Sequence, residues 1–197
     1  MIVRHGLGHL ICEPINYQGQ LTVGHNSVVG YGDDAGPVNI GRDLTIGAFS
    51  IVERNVTIGD GCAIGNYCTV YSDATIGNNV KLLSGSRVYW DARVGDGAIV
   101  NGYVSADVIV EAEVRFFGRI AHSHRNHTRD WETTKEPSPI FRRGCFIGVG
   151  ALIVGAVTIG EDAYVAAGEV VRTDIPAGTI YYKGRVFEKA SFRGLIV

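Results

Sequence analysis

The chain has 197 residues, a formal net charge of −2 at pH 7 and a pI of about 6.3. That length suits one domain with a real core, and that charge leaves no basic footprint for nucleic acid or an anionic membrane surface. No apolar run reaches the length of a membrane span, and Met1 to Ile11, carrying Arg4, His5 and His9, lacks the apolar core and cleavage site of a secretory signal, so a soluble, cytoplasmic protein is expected.

Residues 1–20 are irregular and are expected to cap the fold. Val23 and Val29 precede a Gly- and Asp-rich stretch, Tyr31 to Pro37, that reads as a surface loop. From Ile40 an aliphatic residue falls on every sixth position: Ile40, Ile46, Val52, Ile58, Ile64, Val70, Ile76, Leu82, Val88, Val94 and Val100. The count then fades through Ala106, Ala112 and Gly118, and a second run, Ile147, Ile153, Ile159, Val165 and Val171, starts out of phase. Neither a strand period of two nor a helix period of 3.6 explains this. A short strand followed by a corner does, with the large aliphatic inward and the fifth residue of each hexad small where the chain turns. Glycine after the aliphatic, and Asn or Asp nearby, relieve strain at the bend. The 27 glycines suit many tight corners.

Fixed repeats of this length predict a parallel β-helix. As in the β-helices that this hexad pattern resembles, three hexads make one triangular coil, so residues three hexads apart stack. Parallel strands lie about 4.8 Å apart, so roughly seven coils span about 30 Å. On that count Glu53, Tyr71, Tyr89 and Asp107 share one outward column and Asn55, Asp73 and Asp91 another. Tyr71 over Tyr89, with Trp90 beside them, reads either as exposed stacking or as a subunit interface. Cys62 and Cys68 fill small inward slots as reduced core thiols, and no CxxC spacing suggests a metal or disulfide.

The largest break in the period runs from 119 to 143. It holds His122, His124 and His127 together with Arg125, Arg129, Asp130 and Trp131; a long loop on a rigid scaffold is usually functional or disordered, and Trp131 with Pro137 and Pro139 argues for order. Three readings of the histidines stand open. They could converge on a metal, which needs further ligand support; one could act as a general base near neutral pH; or they could be polar surface residues. The division expected is a cap over 1–20, a repeat domain over 21–182 with the 119–143 loop inserted, and a tail over 183–197.

The run Phe146-Ile-Gly-Val-Gly-Ala-Leu-Ile-Val-Gly-Ala-Val-Thr-Ile-Gly160, followed by Tyr164-Val-Ala-Ala-Gly-Glu-Val-Val-Arg-Thr-Asp-Ile-Pro176, resembles the C-terminal coils of the hexapeptide-repeat acyltransferases. The resemblance covers Val23 to about Gly184. It implies an all-β, left-handed parallel β-helix, a homotrimer, and transfer of an acetyl group from acetyl-CoA to a hydroxyl or amine of a sugar, nucleotide sugar or other small polar acceptor. In the sugar and xenobiotic branch a catalytic His lies near the start of an extended loop. By position His122 matches it, with His124 as runner-up and Arg125, Arg129, Asp130 and Trp131 shaping the acceptor pocket. The resemblance places pantetheine against Gly148, Gly150, Ala166 and Ala167. The usual Thr-Lys is replaced by Arg172-Thr173, so Arg172, Lys183 and Arg185 become the candidate phosphate contacts. No metal is expected. The alternatives are a zinc protein resembling the γ-class carbonic anhydrases, although the coils from 40 to 118 contain no histidine, and a non-catalytic β-helix binding module.

Overall fold

The computed structural model describes residues 2–5, 8–33, 36–121, 123, 128 and 137–191, with the backbone alone for 2–5 and 191. It is an all-β, left-handed parallel β-helix, a triangular prism with three strand columns. The first face stacks His9–Cys12, Val28–Tyr31, Ile51–Glu53, Thr69–Val70, Arg87–Val88, Tyr103–Val104, Arg119–Ala121, Leu152–Val154 and Val170–Val171, with Ile2–His5 added antiparallel at its edge. The second face runs from Thr57–Ile58 to Thr158–Ile159 and the third from Ala63–Ile64 to Thr179–Tyr182. The long strand Val38–Ile46 bends around one corner and serves both, pairing through Ile40 with Ile58 and through Ile46 with Ile64.

Nine coils therefore stack among the described residues, where the periodic run predicted roughly seven. Residues 15–23, most of them read as an irregular cap, pair in parallel with 38–46 across two register shifts and form a coil of their own. Ile120 and Phe141, on either side of the long loop, complete another. Each coil contributes one large residue per face to a dry interior: Val52, Ile58 and Ile64, then Val70, Ile76 and Leu82, are all buried. The fifth-position side chains Val56, Cys62, Cys68, Ala74 and Val80 are buried beside them, as their small size requires.

The period does not fade after Val100. It steps by two residues and continues through Val104, Val110 and Phe116, all buried. Val88 pairs with Val104 and Tyr103 with Arg119, each two residues short of three hexads, so the two corners from third face to first at this level are each two residues short. Gly102 makes the step possible. It holds φ at +153°, and a Cβ there would collide with the Gly118 carbonyl oxygen. Asp107 consequently leaves the Tyr71–Tyr89 column and takes a corner position with φ +58°.

Backbone strain sits on the fourth residue of each hexad, not the second. Asn55, Asp73, Asn79 and Asp91 all hold φ between +55° and +62°, where Asn and Asp cost least among residues with a side chain. The second-position glycines answer a different constraint, the spacing between coils. A Cβ on Gly59 would lie 2.7 Å from the Gly77 carbonyl carbon, and one on Gly65 2.6 Å from the Ser84 amide nitrogen. Third-position side chains then bind the coil before them. The Arg42 amide donates to Asp60 Oδ1 at 2.7 Å, the Asp60 amide to Asn78 Oδ1 at 2.9 Å, and the Asn78 amide to Asp96 Oδ1 at 2.7 Å. The Arg42 amide and guanidinium also hold the Asp60 carboxyl below its ordinary range.

Two glycines separate these constraints. Gly65→Ala must push two coils apart, whereas a Cβ added to Gly85, at φ +82°, would meet nothing within 4 Å. Gly65→Ala is expected to cost about 3 kcal/mol and Gly85→Ala about 1 kcal/mol. Urea titration of both variants checks the ranking, and equal losses would reject interlayer spacing as the cause.

Candidate functional site

The long loop leaves the prism at the corner between the first and second faces, on the seventh coil. Arg119–Ala121 lies in register with Leu152–Val154, and the chain returns in Ile140–Phe141, paired with Ile109–Val110 and Thr158–Ile159. His122, His124, His127, Arg125, Arg129, Asp130 and Trp131 lie outside the described residues. The roots of the loop are described. Ser138 Oγ donates to the Ala106 carbonyl at 2.9 Å, and a Cβ on Gly155, φ +76°, would meet the Ser123 Cβ at 3.1 Å. The Gly155 amide donates to the Ala121 carbonyl at 2.9 Å. A cavity of about 230 Å³ opens here, lined by Ser123, Pro137, Val154, Gly155, Val157 and Arg172.

The residues assigned to pantetheine meet at a different corner, between the third and first faces. The Gly148 amide donates to the Val165 carbonyl at 2.8 Å, and the Gly168 amide to the Val149 carbonyl at 3.0 Å, so Gly148 lies over Ala166 and Ala167 and Gly150 over Gly168. A Cβ on Gly148 would approach the Ala167 amide nitrogen to 2.5 Å, whereas Gly150, φ +72°, faces open space. Interlayer spacing therefore requires Gly148, and Gly150 keeps the corner smooth. Lys183 stands at the same corner one coil further on. Its amide and that of Gly184 donate to the Glu169 carboxylate at 2.7 and 3.1 Å, and its ammonium lies 5.2 Å from the Tyr182 ring centroid. Arg185 begins the antiparallel strand Arg185–Glu188, opposite Tyr182. Arg172 is placed apart from these residues, at the far edge of the first face.

Aromatic side chains collect on and beside the first face. Tyr71 and Tyr89 stack at 4.7 Å with an 11° interplanar angle, and Trp90 contacts both at 4.9 and 5.5 Å. Burial raises the Tyr71 hydroxyl, with the neighbouring Tyr89 adding to the shift. Arg87 packs on Tyr103 at 5.3 Å. Sequence reasoning missed a second stack, Phe49 on Tyr67 at 5.2 Å and 3°. Its signal lies in the repeat, since the two residues are three hexads apart and both hold the left-handed corner position.

Three of the four cysteines are placed as core thiols and not as nucleophiles. Cys62, Cys68 and Cys145 are buried. Burial raises all three thiols, Cys145 up to about 12. Among the described residues no group of three His, Cys, Asp or Glu side chains could hold a metal ion, and no helix is long and apolar enough to cross a membrane.

Comparison with known proteins agrees with this geometry. Residues 37–72 match the family model for the bacterial transferase hexapeptide (six repeats), so the chain carries that repeat. The bifunctional protein GlmU of Rubrobacter xylanophilus is 36% identical over 53 residues, which is 27% of this chain and 11% of that protein. The chain thus spans only a small part of the curated relative it matches. Among solved structures, the UDP-N-acetylglucosamine acyltransferase of Francisella novicida superposes with a TM-score of 0.50 at 14% identity, over 89% of this chain and 65% of that one. A GDP-perosamine N-acetyltransferase mutant from Caulobacter crescentus, solved with CoA and GDP-perosamine, gives 0.47 at 23% identity, over 74% and 56%.

A thiol whose folded pKa is raised stabilises the fold fully below its unfolded pKa and loses that contribution as pH climbs toward the folded value. For Cys145 the loss runs from about pH 9 toward 12, at about 1.4 kcal/mol per pH unit for one ionising group. Urea unfolding across pH 8–11 should therefore show a shallower alkaline decline for Cys145→Ala than for wild type. An unchanged slope would remove the buried thiol as its source.

Proposed function

We propose that the protein is an acetyl-CoA-dependent acyltransferase acting on a hydroxyl or amine of a sugar, nucleotide sugar or other small polar metabolite, and that it works in the cytoplasm as a homotrimer. One observation carries the reading. The long interruption of a hexapeptide-repeat β-helix, which holds three histidines in the sequence, roots beside a small cavity on the first face, and a smooth glycine and alanine corner borders the other edge of that face. The bacterial transferase repeat in residues 37–72 supports it. So does the fold, which is similar to that of a UDP-N-acetylglucosamine acyltransferase.

In this mechanism His122, with His124 as the alternate or orienting group, takes the proton from the acceptor hydroxyl or amine as the oxygen or nitrogen attacks the thioester carbonyl carbon. The tetrahedral adduct collapses with cleavage of the carbon–sulfur bond, and the imidazolium returns the proton to the departing CoA thiolate. One base suffices because a thiolate leaves readily. A backbone N–H serves the developing oxyanion. Gly148, Gly150, Ala166 and Ala167 let the pantetheine arm approach the backbone, and Lys183 and Arg185 meet its phosphates. Arg125, Arg129, Asp130 and Trp131 shape the acceptor pocket.

Purified protein should bind acetyl-CoA and acetylate members of a panel of amino sugars, nucleotide sugars and alcohols. His122→Ala is expected to lower kcat by ~10²–10⁴-fold, with acetyl-CoA affinity unchanged by calorimetry. If His122→Ala and His124→Ala each stay within about tenfold of wild type, neither is the base. Stoichiometric zinc in active protein would favour a metal-dependent reaction, and failure to bind acetyl-CoA would favour a binding module.

A further inference from the structure

The cavity at the root of the loop contains one charged group among its described lining residues. Val154, Val157 and Pro137 give it apolar walls, Ser123 gives it a hydroxyl, and Arg172 is the ionic side chain. Arg172, like Arg93, Arg115 and Arg119, differs from the ion-paired arginines of the prism, and among the described residues it is the one of these four that lines a cavity. Arg42 pairs with Asp60 at 2.7 Å, Arg142 with Glu111 at 2.6 Å and Arg143 with Glu113 at 2.6 Å. No carboxylate among the described residues pairs with Arg172. The two acidic residues nearest in its own coil are engaged elsewhere: Glu169 accepts the Lys183 and Gly184 amides, and Asp174 Oδ1 accepts the Thr158 amide at 2.8 Å.

A guanidinium presents a planar fork of donors that matches a carboxylate or phosphate in two parallel hydrogen bonds. Arg172 is exposed at the cavity, so the planar two-bond geometry, more than a low dielectric, gives the site its selectivity. The volume selects the size of the anionic group. About 230 Å³ is below the ~300–1,000 Å³ of sites that enclose whole drug-sized ligands, so it suits a compact anionic group. Position selects its owner. Arg172 lies across the first face from the corner formed by Gly148, Gly150, Ala166 and Ala167, and it sits beside Ser123, which the sequence places between His122 and His124.

We propose that Arg172, with Ser123 beside it, forms an anion-binding subsite at the loop root that takes a carboxylate carried by the acyl acceptor. This rests on the acyltransferase reading and narrows its substrate class to acidic acceptors, such as a sugar acid. Arg172 is thereby a specificity-determining residue for the acceptor and not a contact to the donor's phosphates.

Two measurements on the full chain test it, using wild type, Arg172→Gln and Arg172→Lys. In the first, acetate is titrated at constant ionic strength while the Gly155 amide is followed by NMR. Wild type should show a saturable shift, Arg172→Gln should weaken binding tenfold or more, and Arg172→Lys should fall between. No saturable response in wild type, or an equal response in Arg172→Gln, would overturn the subsite. In the second, acceptors matched except for a carboxylate or a carboxamide are compared. Arg172→Gln should raise KM for the carboxylate acceptor ~10–100-fold, the usual worth of a charge-assisted hydrogen bond, and leave KM for acetyl-CoA within about threefold. A rise in the acetyl-CoA KM with acceptor preference unchanged would assign the anion to the donor and reject the proposal. The acetate measurement needs no turnover. Failure of the acyltransferase reading would appear separately, as wild type that does not bind acetyl-CoA.

Discussion

Everything in this protein depends on the spacing between coils. Parallel strands hydrogen-bond at about 4.8 Å, and each coil must lie flat enough on the next for that ladder to form on all three faces. The second-position glycines exist because a single methyl would part the layers, as at Gly59 and Gly65. The left-handed residues at Asn55, Asp73, Asn79 and Asp91 exist because each corner must turn sharply within the same plane. The Arg42–Asp60–Asn78–Asp96 chain of side chain to amide bonds pairs backbone donors that the corner takes out of the strand ladder.

A scaffold so constrained has little freedom to build a site within its coils. A larger side chain at a second position breaks the stacking, and a buried polar group is accommodated only where it is as small as Ser50 or Ser86, whose hydroxyls donate to the Gly65 and Val100 carbonyls. Irregularity is tolerated where the chain turns. At one corner of the first face the coil is interrupted by residues 122–136, and around its roots gather Ser123, Pro137, Gly155 and Arg172. At the opposite corner, two consecutive turns are shortened by two residues, through Gly102 and Gly118. The first face lies between these departures and carries the Tyr71, Tyr89 and Trp90 cluster. Rigid strands thus hold loop-borne chemistry at a defined level of the prism, a division of labour common to scaffolds that present functional loops.

The parts of the site that are legible in the sequence are those that violate the repeat. Histidines absent from the regular coils stand out once the period stops at 118, and the glycine and alanine run after 146 stands out by its resemblance to acyltransferase coils. Arg172 is legible as a cation but not by location. Its place across the face from Gly148 depends on which residues of a hexad fall at which corner, and that follows from the triangular winding. The departure of Asp107 from its expected column has the same origin. A count by sixes registers the shortened corner only as a fading through Ala106, Ala112 and Gly118, because the residues that continue the core, Val104, Val110 and Phe116, lie two positions earlier.

The sequence by itself determined the architecture, because a six-residue period admits one large inward residue per strand and a turn between strands, and little else buries that pattern. It also determined that the candidate chemistry lies outside the period. Only the tertiary structure decided the number of coils, the two-residue step after Val100, and the convergence of Ser123, Val154 and Arg172 on one cavity. Those depend on contacts between residues far apart in the chain, made when separate coils stack in register, and a local pattern carries no record of them.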